Sequence, residues 1–323
     1  MIPGMFLPYK IRELILKIQF RQRIGHWMDF RSPKGFNEKM QWYKLYYYNP
    51  DSYRIIDKLG FKSYVSEKLG EGHTAELYGA WDDAGKVDLS DIPLPFVLKS
   101  NCSSYGNNML FIFDREQCDP AILRPRLERW LDPTNTDISG FCREHYEIEK
   151  PLIIAEAFLG SGHEPPADYK FYCFDGRAHY VYSACEHFRN GRPVHSAISF
   201  YDMDWKPLDV IYGGAKRRDL PRPKHFEEMK QAAEKLSEGF PFVRVDFFDR
   251  DDTYYLSELT LSPGDGFKSF EPASFDDKLG GLLALPERNT KRESFRADVF
   301  TAYIRRAFIV GTHHKRKRNN QHY

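Results

Sequence analysis

Apolar and polar positions change period several times along the chain, and each change marks an element. Over residues 8–20, Ile11, Leu14, Ile15 and Ile18 recur on one helical face, Pro8 suits the first turn, and Lys10, Arg12, Lys17 and Arg21 lie nearby. A basic amphipathic helix of this kind can lie on an anionic membrane surface or dock on its own domain. Helical periods also cover 36–48, 57–70 and 225–240, the last closed by Gly239. The stretch "GEGHTAELYGAW" imitates a dinucleotide fingerprint, but no strand precedes it and it reads as a loop.

Strand-like runs cover 92–101, which ends in a polar loop, and 151–159, a buried strand running into a hinge. Residues 168–188 read as a hairpin with Asp175-Gly176 at its turn. A second hairpin joins "FVRVDFF" (Phe242–Phe248) to "YLSELTL" (Tyr255–Leu261). Strand, helix, hairpin, helix, hairpin is the order of an α+β fold with antiparallel sheets.

The last hairpin carries charge where strands are normally apolar. Alternation puts Arg244 and Asp246 on one face, with Val243, Val245 and Phe247 on the other; Leu256, Glu258 and Thr260 share a face of the second strand. Pairing symmetric about Asp252 sets Asp246 opposite Glu258 and Arg244 opposite Thr260. Like charges directly opposite destabilise a sheet unless a cation lies between them. Arg244 could supply part of that charge, and Mg²⁺ with substrate phosphates would supply more. The alternative is a surface hairpin whose polar face meets water.

Composition adds bounds. The 323 residues suffice for one large domain or two modest ones, and 41% hydrophobic residues supply a core. Lys and Arg (47) nearly cancel Asp and Glu (46), so no charge excess points to nucleic acid. Cys102, Cys118, Cys142, Cys173 and Cys185 form no C-x-x-C pair, the pattern of reduced thiols in a cytosolic protein. No apolar run reaches transmembrane length, and the start of the chain does not read as a signal peptide. The tail from His313 is basic and reads as solvated, or as a contact for phosphates or anionic lipid.

Three further places carry candidate chemistry. Lys99 ends a strand and enters "SNCSSYGNN", where small and amide residues around Gly106 let backbone N–H groups approach an anion. Glu156 closes an apolar strand, where a lone carboxylate is costly, so a functional role is favoured. Glu186, His187 and Arg189 could grip an acidic sugar or amino acid. Arg143, Glu144 and Tyr146 read as a surface turn, the alternative being that they face a substrate; His195 and His225 read as ordinary surface residues, and Trp42, Trp81, Trp130 and Trp205 as core, although exposed aromatics do line sugar sites. No G-x-S-x-G elbow, H-E-x-x-H helix or Cys–His signature is found.

Taken in order, "SPKGFNEKMQWYKLY", "DKLGFKSYV", "LPFVLKSN", "IIAEAFL", "DYKFYCFDG", "FYDMDW", "FPFVRVDFF" and "SELTLSPGDGF" resemble the ATP-grasp superfamily, over about residues 31–280. The match is to the branch associated with teichuronopeptide biosynthesis and capsular polysaccharide clusters. The resemblance implies two α+β subdomains with antiparallel sheets clasping a nucleotide. It divides the chain into a helical extension (1–49), a catalytic domain (50–285) and a C-terminal helix with a basic tail (286–323). It also implies roles. Lys58 and Lys99 would reach the phosphates, and Ser103, Ser104, Gly106 and Asn107 would belong to the loop closing over them. Glu156, Ala157, Phe158 and Leu159 would form the hinge, with Ala157 and Leu159 offering backbone groups to adenine. Asp168 would hold the ribose and Lys170 would face the phosphates. Asp246, Glu258 and Thr260 would be the Mg²⁺ positions, and Arg244 would steady the transferring phosphoryl group beside Lys99. Thr260 stands where most of the superfamily has asparagine, and Tyr105 makes the loop bulkier than usual.

The implied activity is an ATP- and Mg²⁺-dependent carboxylate–amine ligase acting through an acyl phosphate. It would attach an amino acid or amine to a carboxylated saccharide or peptide, in the cytoplasm or at the inner face of the membrane. Two other readings stand beside it. One is a glycosyltransferase, for which Asp202–Asp204 ("DMD") imitates a metal-binding D-x-D. The other is a nucleotide-binding protein without turnover.

Overall fold

The computed structural model describes residues 9–101, 108–132, 150–189, 192–250 and 252–289. Helices α1 (Tyr9–Ile24), α2 (Phe36–Tyr46), α3 (Ser52–Ile56) and α4 (Lys58–Leu69) precede the first strand. Strands β1 (Leu77–Trp81), β2 (Phe96–Ser100), β3 (Met109–Ile112) and β4 (Ile153–Ala157) form an antiparallel sheet in the order β1-β4-β2-β3, backed by α5 (Pro120–Leu131). Strand β1 corrects the loop reading of "GEGHTAELYGAW". Gly70 and Gly72 take φ of 93° and 88° before it, and pairing with β4 supplies order that this short segment does not encode alone.

A second antiparallel sheet holds β5 (Asp168–Phe174), β6 (Arg177–Arg189), β7 (Arg192–Tyr201), β9 (Phe242–Asp249) and β10 (Tyr254–Thr260), in the order β10-β9-β5-β6-β7. Asp175 and Gly176 make the expected turn, with φ of 48° and 74°. A two-stranded ribbon pairs β8 (Ile211–Tyr212) with β11 (Phe270–Glu271).

The larger sheet is covered on both faces. Helix α6 (Phe226–Ser237) buries Phe226, Met229, Ala232, Ala233 and Leu236 at helical spacing, and Phe226 packs on Phe171 at 5.5 Å. Across the sheet, Phe36 of α2 meets Phe242 at 5.0 Å and Tyr172 at 5.9 Å, while Phe275 of α7 (Ser274–Leu282) meets Tyr180 and Phe200. The apolar cover ends there. Further along the same face of β9 come Arg244 and Asp246.

Helix α1 docks by a face other than the one its aliphatic spacing suggests. Arg12, Leu16, Gln19 and Phe20 are buried in a small cluster with Met28, Phe30, Trp42 and Tyr46, while Ile11, Leu14 and Ile18 are 43%, 56% and 41% exposed. Phe20, with its large ring, sets the inner face. Trp42 and Trp130 are buried as expected, and Trp81 and Trp205 pack partly buried against the cores. No helix among the described residues is long and apolar enough to cross a membrane.

Helices α2 and α7 meet through Asp276, whose Oδ1 accepts from the backbone N–H of Asn37 at 3.0 Å and from its Nδ2 at 2.7 Å. Burial, then repulsion from Asp277 and Glu38, pushes this carboxyl up to about 6 from its ordinary 3.8, against the pull of the Asn37 N–H. The folded state therefore holds the proton more tightly than the unfolded chain between those values, and stability falls as pH rises through about 6. Asp276→Asn keeps an acceptor for Asn37 and removes the buried charge. Its melting temperature is expected to exceed that of the wild type above pH 6, the gap fading towards pH 4. A pH-independent gap in thermal denaturation would refute this.

Candidate active site

Strand β9 lies between β10 and β5, so every second side chain meets neighbours on both sides. Lys170, Asp246 and Glu258 fall in register as one row across β5, β9 and β10; Tyr172, Arg244 and Thr260 form the next. The expected pairs Asp246–Glu258 and Arg244–Thr260 are both present. Symmetry about Asp252 is not kept up to the turn, however, because Leu256 faces Phe247 and Tyr254 faces Asp249. A bulge between Leu256 and Glu258 makes up the difference, and it corrects the expected face of Leu256. One extra residue flips the alternation, so Leu256 is buried in the core while Glu258 and Thr260 line the charged face.

Arg244 joins the rows. Its Nε donates to Asp246 Oδ1 at 2.7 Å and its Nη2 to Oδ2 at 2.6 Å, a bidentate pair. The same Nη2 reaches Glu258 Oε1 at 3.0 Å and Thr260 Oγ1 at 2.9 Å, and Nη1 reaches Tyr182 Oη at 3.4 Å. Lys170 Nζ donates to Asp246 Oδ2 at 2.6 Å and is ion-paired with Asp168. The two carboxylates of the hairpin thus converge on a single guanidinium nitrogen, the place where the sequence required positive charge.

The electrostatics follow from these contacts. Burial alone would depress the Lys170 ammonium, yet Asp168 and Asp246 hold it well above its ordinary value. Burial would raise the Glu258 carboxyl, yet Arg244, Lys170 and Lys58, with a hydrogen bond from Thr260, bring it down to about 2.

A second cluster sits on the smaller sheet. Lys99 of β2 is ion-paired with Glu156 of β4, and Lys62 Nζ of α4 lies 3.2 Å from the same carboxylate. Burial works against the Glu156 charge, but the two lysines hold its carboxyl below the usual range. Burial lowers Lys62, with Glu156 opposing. Asp57 caps α4 by accepting from the N–H groups of Leu59 and Gly60 at 2.8 and 2.9 Å, and Asn101 Nδ2 donates to its other oxygen. The Lys58 N–H donates to Asn101 O at 3.0 Å, so the end of β2 is tied to the start of α4.

At the end of β4, the Ala157 N–H donates to Glu76 O at 2.9 Å. Phe158 meets Phe111 and Phe113 edge-on at 5.9 and 5.3 Å. Leu159 O accepts from Arg250 Nη1 at 2.7 Å, which fastens the segment after β4 to the end of β9. Ser103, Ser104, Tyr105, Gly106 and Asn107 lie outside the described residues, as do Arg143, Glu144, Tyr146 and the side chains of Glu186, His187, Arg189 and His195.

Sequence reasoning missed four contributors. Lys62 lies one turn after Lys58 on the same helix face, a signal that was available. Arg250 was hidden in the turn "DRDDT", Tyr182 in an aromatic strand, and Lys268 beyond "SPGDGF". His225 pairs with Asp249 at 2.7 Å. The D-x-D imitation does not survive: Asp202 Oδ1 accepts from the N–H groups of Asp204 and Lys206 at 3.0 and 2.9 Å, closing its own turn, and Trp205 stacks on Tyr201 at 4.0 Å.

Among the described residues no group of three His, Cys, Asp or Glu side chains is placed to hold a metal. Two carboxylates and a hydroxyl, Asp246, Glu258 and Thr260, do suit Mg²⁺, which characteristically takes one or two carboxylates and completes its shell with phosphate oxygens and water.

Among solved structures, the chain is similar to D-alanine–D-alanine ligase from Bacillus anthracis, at 12% identity and a TM-score of 0.42, covering 77% of this chain and 69% of that one. It is similar to biotin carboxylase from Campylobacter jejuni at 13% identity and a TM-score of 0.44, covering 75% and 48%. A third is N5-carboxyaminoimidazole synthetase from Staphylococcus aureus complexed with ADP, at 14% identity and a TM-score of 0.35, covering 64% and 45%. A search of curated proteins finds no match. A family model described as TupA-like ATPgrasp matches residues 38–284, most of the chain and all of the charged rows. The chain belongs to the TupA-like ATP-grasp family.

Proposed function

We propose that this ATP-grasp ligase joins a carboxylate to an amine through an acyl phosphate, the carboxylate belonging to a uronic acid or peptide of a cell-surface polysaccharide or its precursor. The observation that carries the reaction class is the Lys170–Asp246–Glu258 row with Arg244 bridging it. Phosphoryl transfer asks a protein chiefly to neutralise charge and align reactants, and rigid central strands do both. A carboxylate oxygen bonds to the γ-phosphorus while the bond to the β,γ-bridging oxygen breaks, and ADP leaves with the electron pair. The amine nitrogen then bonds to the acyl carbon, the bond to phosphate breaks, and the nitrogen loses a proton.

Arg244 and Lys99 steady the transferring group, Lys58 and Lys170 face the phosphates, and Asp168 takes the ribose. The hinge around Glu156–Leu159 receives the base through backbone groups other than the Ala157 N–H. Mg²⁺, held by Asp246, Glu258 and Thr260, would supply neutralising charge at the phosphates when bound. The family branch supports the polysaccharide acceptor, and an ATP consumer of this kind works on the cytoplasmic side of the membrane.

With ATP and Mg²⁺, the protein is expected to release ADP and phosphate only when an amino acid and a uronic-acid acceptor are both present, with an amide formed. Release of UDP or GDP from a sugar nucleotide would show glycosyl transfer instead, and ATP binding without ADP release under any pair would show a non-catalytic protein.

A further inference from the structure

One cation beside the charged rows has no anionic partner among the described residues. Lys268 follows the tight loop after β10, where Gly264, Asp265 and Gly266 take φ of 56°, 56° and 64°. Helix α2 locks that loop. Lys44 Nζ donates to Asp265 O at 2.6 Å, Gln41 Nε2 donates to Asp265 O and Gly266 O at 2.8 Å each, and Asn37 Nδ2 donates to the carbonyl of Lys268 itself at 3.0 Å. The aliphatic stem runs against two glycines. A Cβ at Gly264 would come within 2.9 Å of Lys268 Cγ and of Tyr212 Oη, and one at Gly213 within 3.3 Å of Lys268 Cδ. The ammonium lies 5.3 Å from the centre of the Tyr212 ring, which is stacked on Phe270 at 4.8 Å. The side chain nevertheless remains open to solvent. Partial desolvation of the ammonium, and then the charges of Arg244 and Lys170, lower its affinity for a proton. A lysine packed against Tyr212 and two glycines, with its ammonium open to solvent, is suited to an oxyanion.

Its position says which one. Arg250 binds the hinge at one end of β9, and Arg244 stands six residues back along the chain, about 20 Å at the rise of a strand. On the ligase reading, base, sugar and phosphates laid from the hinge along β9 would end at Asp246 and Arg244. Tyr212 lies at the Arg244 end: its ring centre is 5.9 Å from that of Tyr182, whose hydroxyl accepts from Arg244 Nη1 at 3.4 Å, and the Lys268 ammonium stands by Tyr212.

We propose that Lys268, packed against Gly213, Gly264 and Tyr212, binds a carboxylate of the second substrate. This rests on the ligase reading above. The shared chemistry is an oxyanion, and its two sources are that carboxylate and the nucleotide's terminal phosphate. Calorimetry on the wild type, Lys268→Met and Lys268→Arg separates them. One arm titrates the non-hydrolysable analogue AMP-PNP with Mg²⁺; the other titrates trigalacturonate into protein saturated with that complex. Expected is AMP-PNP affinity unchanged within about twofold and trigalacturonate affinity weakened about tenfold in Lys268→Met, recovering in Lys268→Arg. Weakened AMP-PNP binding in Lys268→Met would assign the lysine to the phosphate and overturn the inference. So would equal trigalacturonate binding by wild type and Lys268→Met, or none by a wild type that binds AMP-PNP. A wild type that fails to bind AMP-PNP with Mg²⁺ overturns the ligase reading itself, and this inference with it.

Discussion

Glu258→Gln is expected to lower ATP turnover by about 10²–10³-fold while the protein stays folded, the usual scale for losing one preorganised electrostatic group. The substitution removes a charge and little else. The amide oxygen can still accept from Arg244 Nη2 and from the Thr260 hydroxyl, which lie 3.0 and 3.1 Å from the carboxylate oxygen. The side chain is 49% exposed on β10, an edge strand of its sheet, so packing is hardly disturbed. What is lost is negative charge facing the place where a divalent ion and phosphates would sit. Because its carboxyl is held down to about 2, Glu258 is ionised throughout any usable assay range, and no pH adjustment of the wild type should mimic the variant. The linkage has a definite sign. With a folded value below the ordinary 4.5, the charge contributes stability that is present above that pH and lost as pH falls through about 2. Urea denaturation should therefore show the wild type and Glu258→Gln diverging at pH 7 and converging in strong acid. Unchanged turnover in the variant would remove the metal-side assignment.

The charged hairpin was legible because it violates a rule. Strands 242–249 and 254–260 follow β patterning closely enough that Arg244, Asp246 and Glu258 stand out, and pairing across a turn is arithmetic on residue numbers. The bulge after Leu256 was not legible, since nothing in "YLSELTL" distinguishes a regular strand from one with an extra residue; the flip is decided by which side of β10 meets the core. Order in the chain could name Asp168 and Lys170, but only the pairing of β5 with β9 puts Lys170 against Asp246, a contact between positions more than seventy residues apart. Glu156 was recognised as costly, and its compensation by Lys99 could be guessed from strand ends. Lys62, one turn after Lys58 on the same helix face, was within reach of the same reasoning, though its contact with Glu156 shows only in the fold. Lys44 shows the limit most clearly. In sequence it is an ordinary helix lysine, and in the fold it is buried with its ammonium on a backbone carbonyl, shaping the loop that presents Lys268.

Lys170→Met is expected to destabilise the ligand-free protein by roughly 3–5 kcal/mol, the range for stripping one partner from a buried charge cluster. Lys170 lies on β5 with 5% of its surface exposed, beside Asp168 at 4% and Asp246 at 0%. Methionine matches the stem in length but supplies no positive charge. Asp246 would retain Arg244, whose fork already divides itself among Asp246, Glu258, Thr260 and Tyr182. Asp168 would lose its ion pair, inside a sheet where water cannot replace it. The loss should appear as a shifted denaturant midpoint at pH 7 with an unchanged slope, since the native packing of β5 against β6 and β9 is retained. Adding Asp168→Asn to Lys170→Met should recover a large part of the loss, because the cost comes from an uncompensated carboxylate and not from a missing contact. A shift under about 1 kcal/mol, the level of a surface ion pair, would mean that solvent reaches the row and that its charges are not the preorganised set that phosphoryl transfer requires.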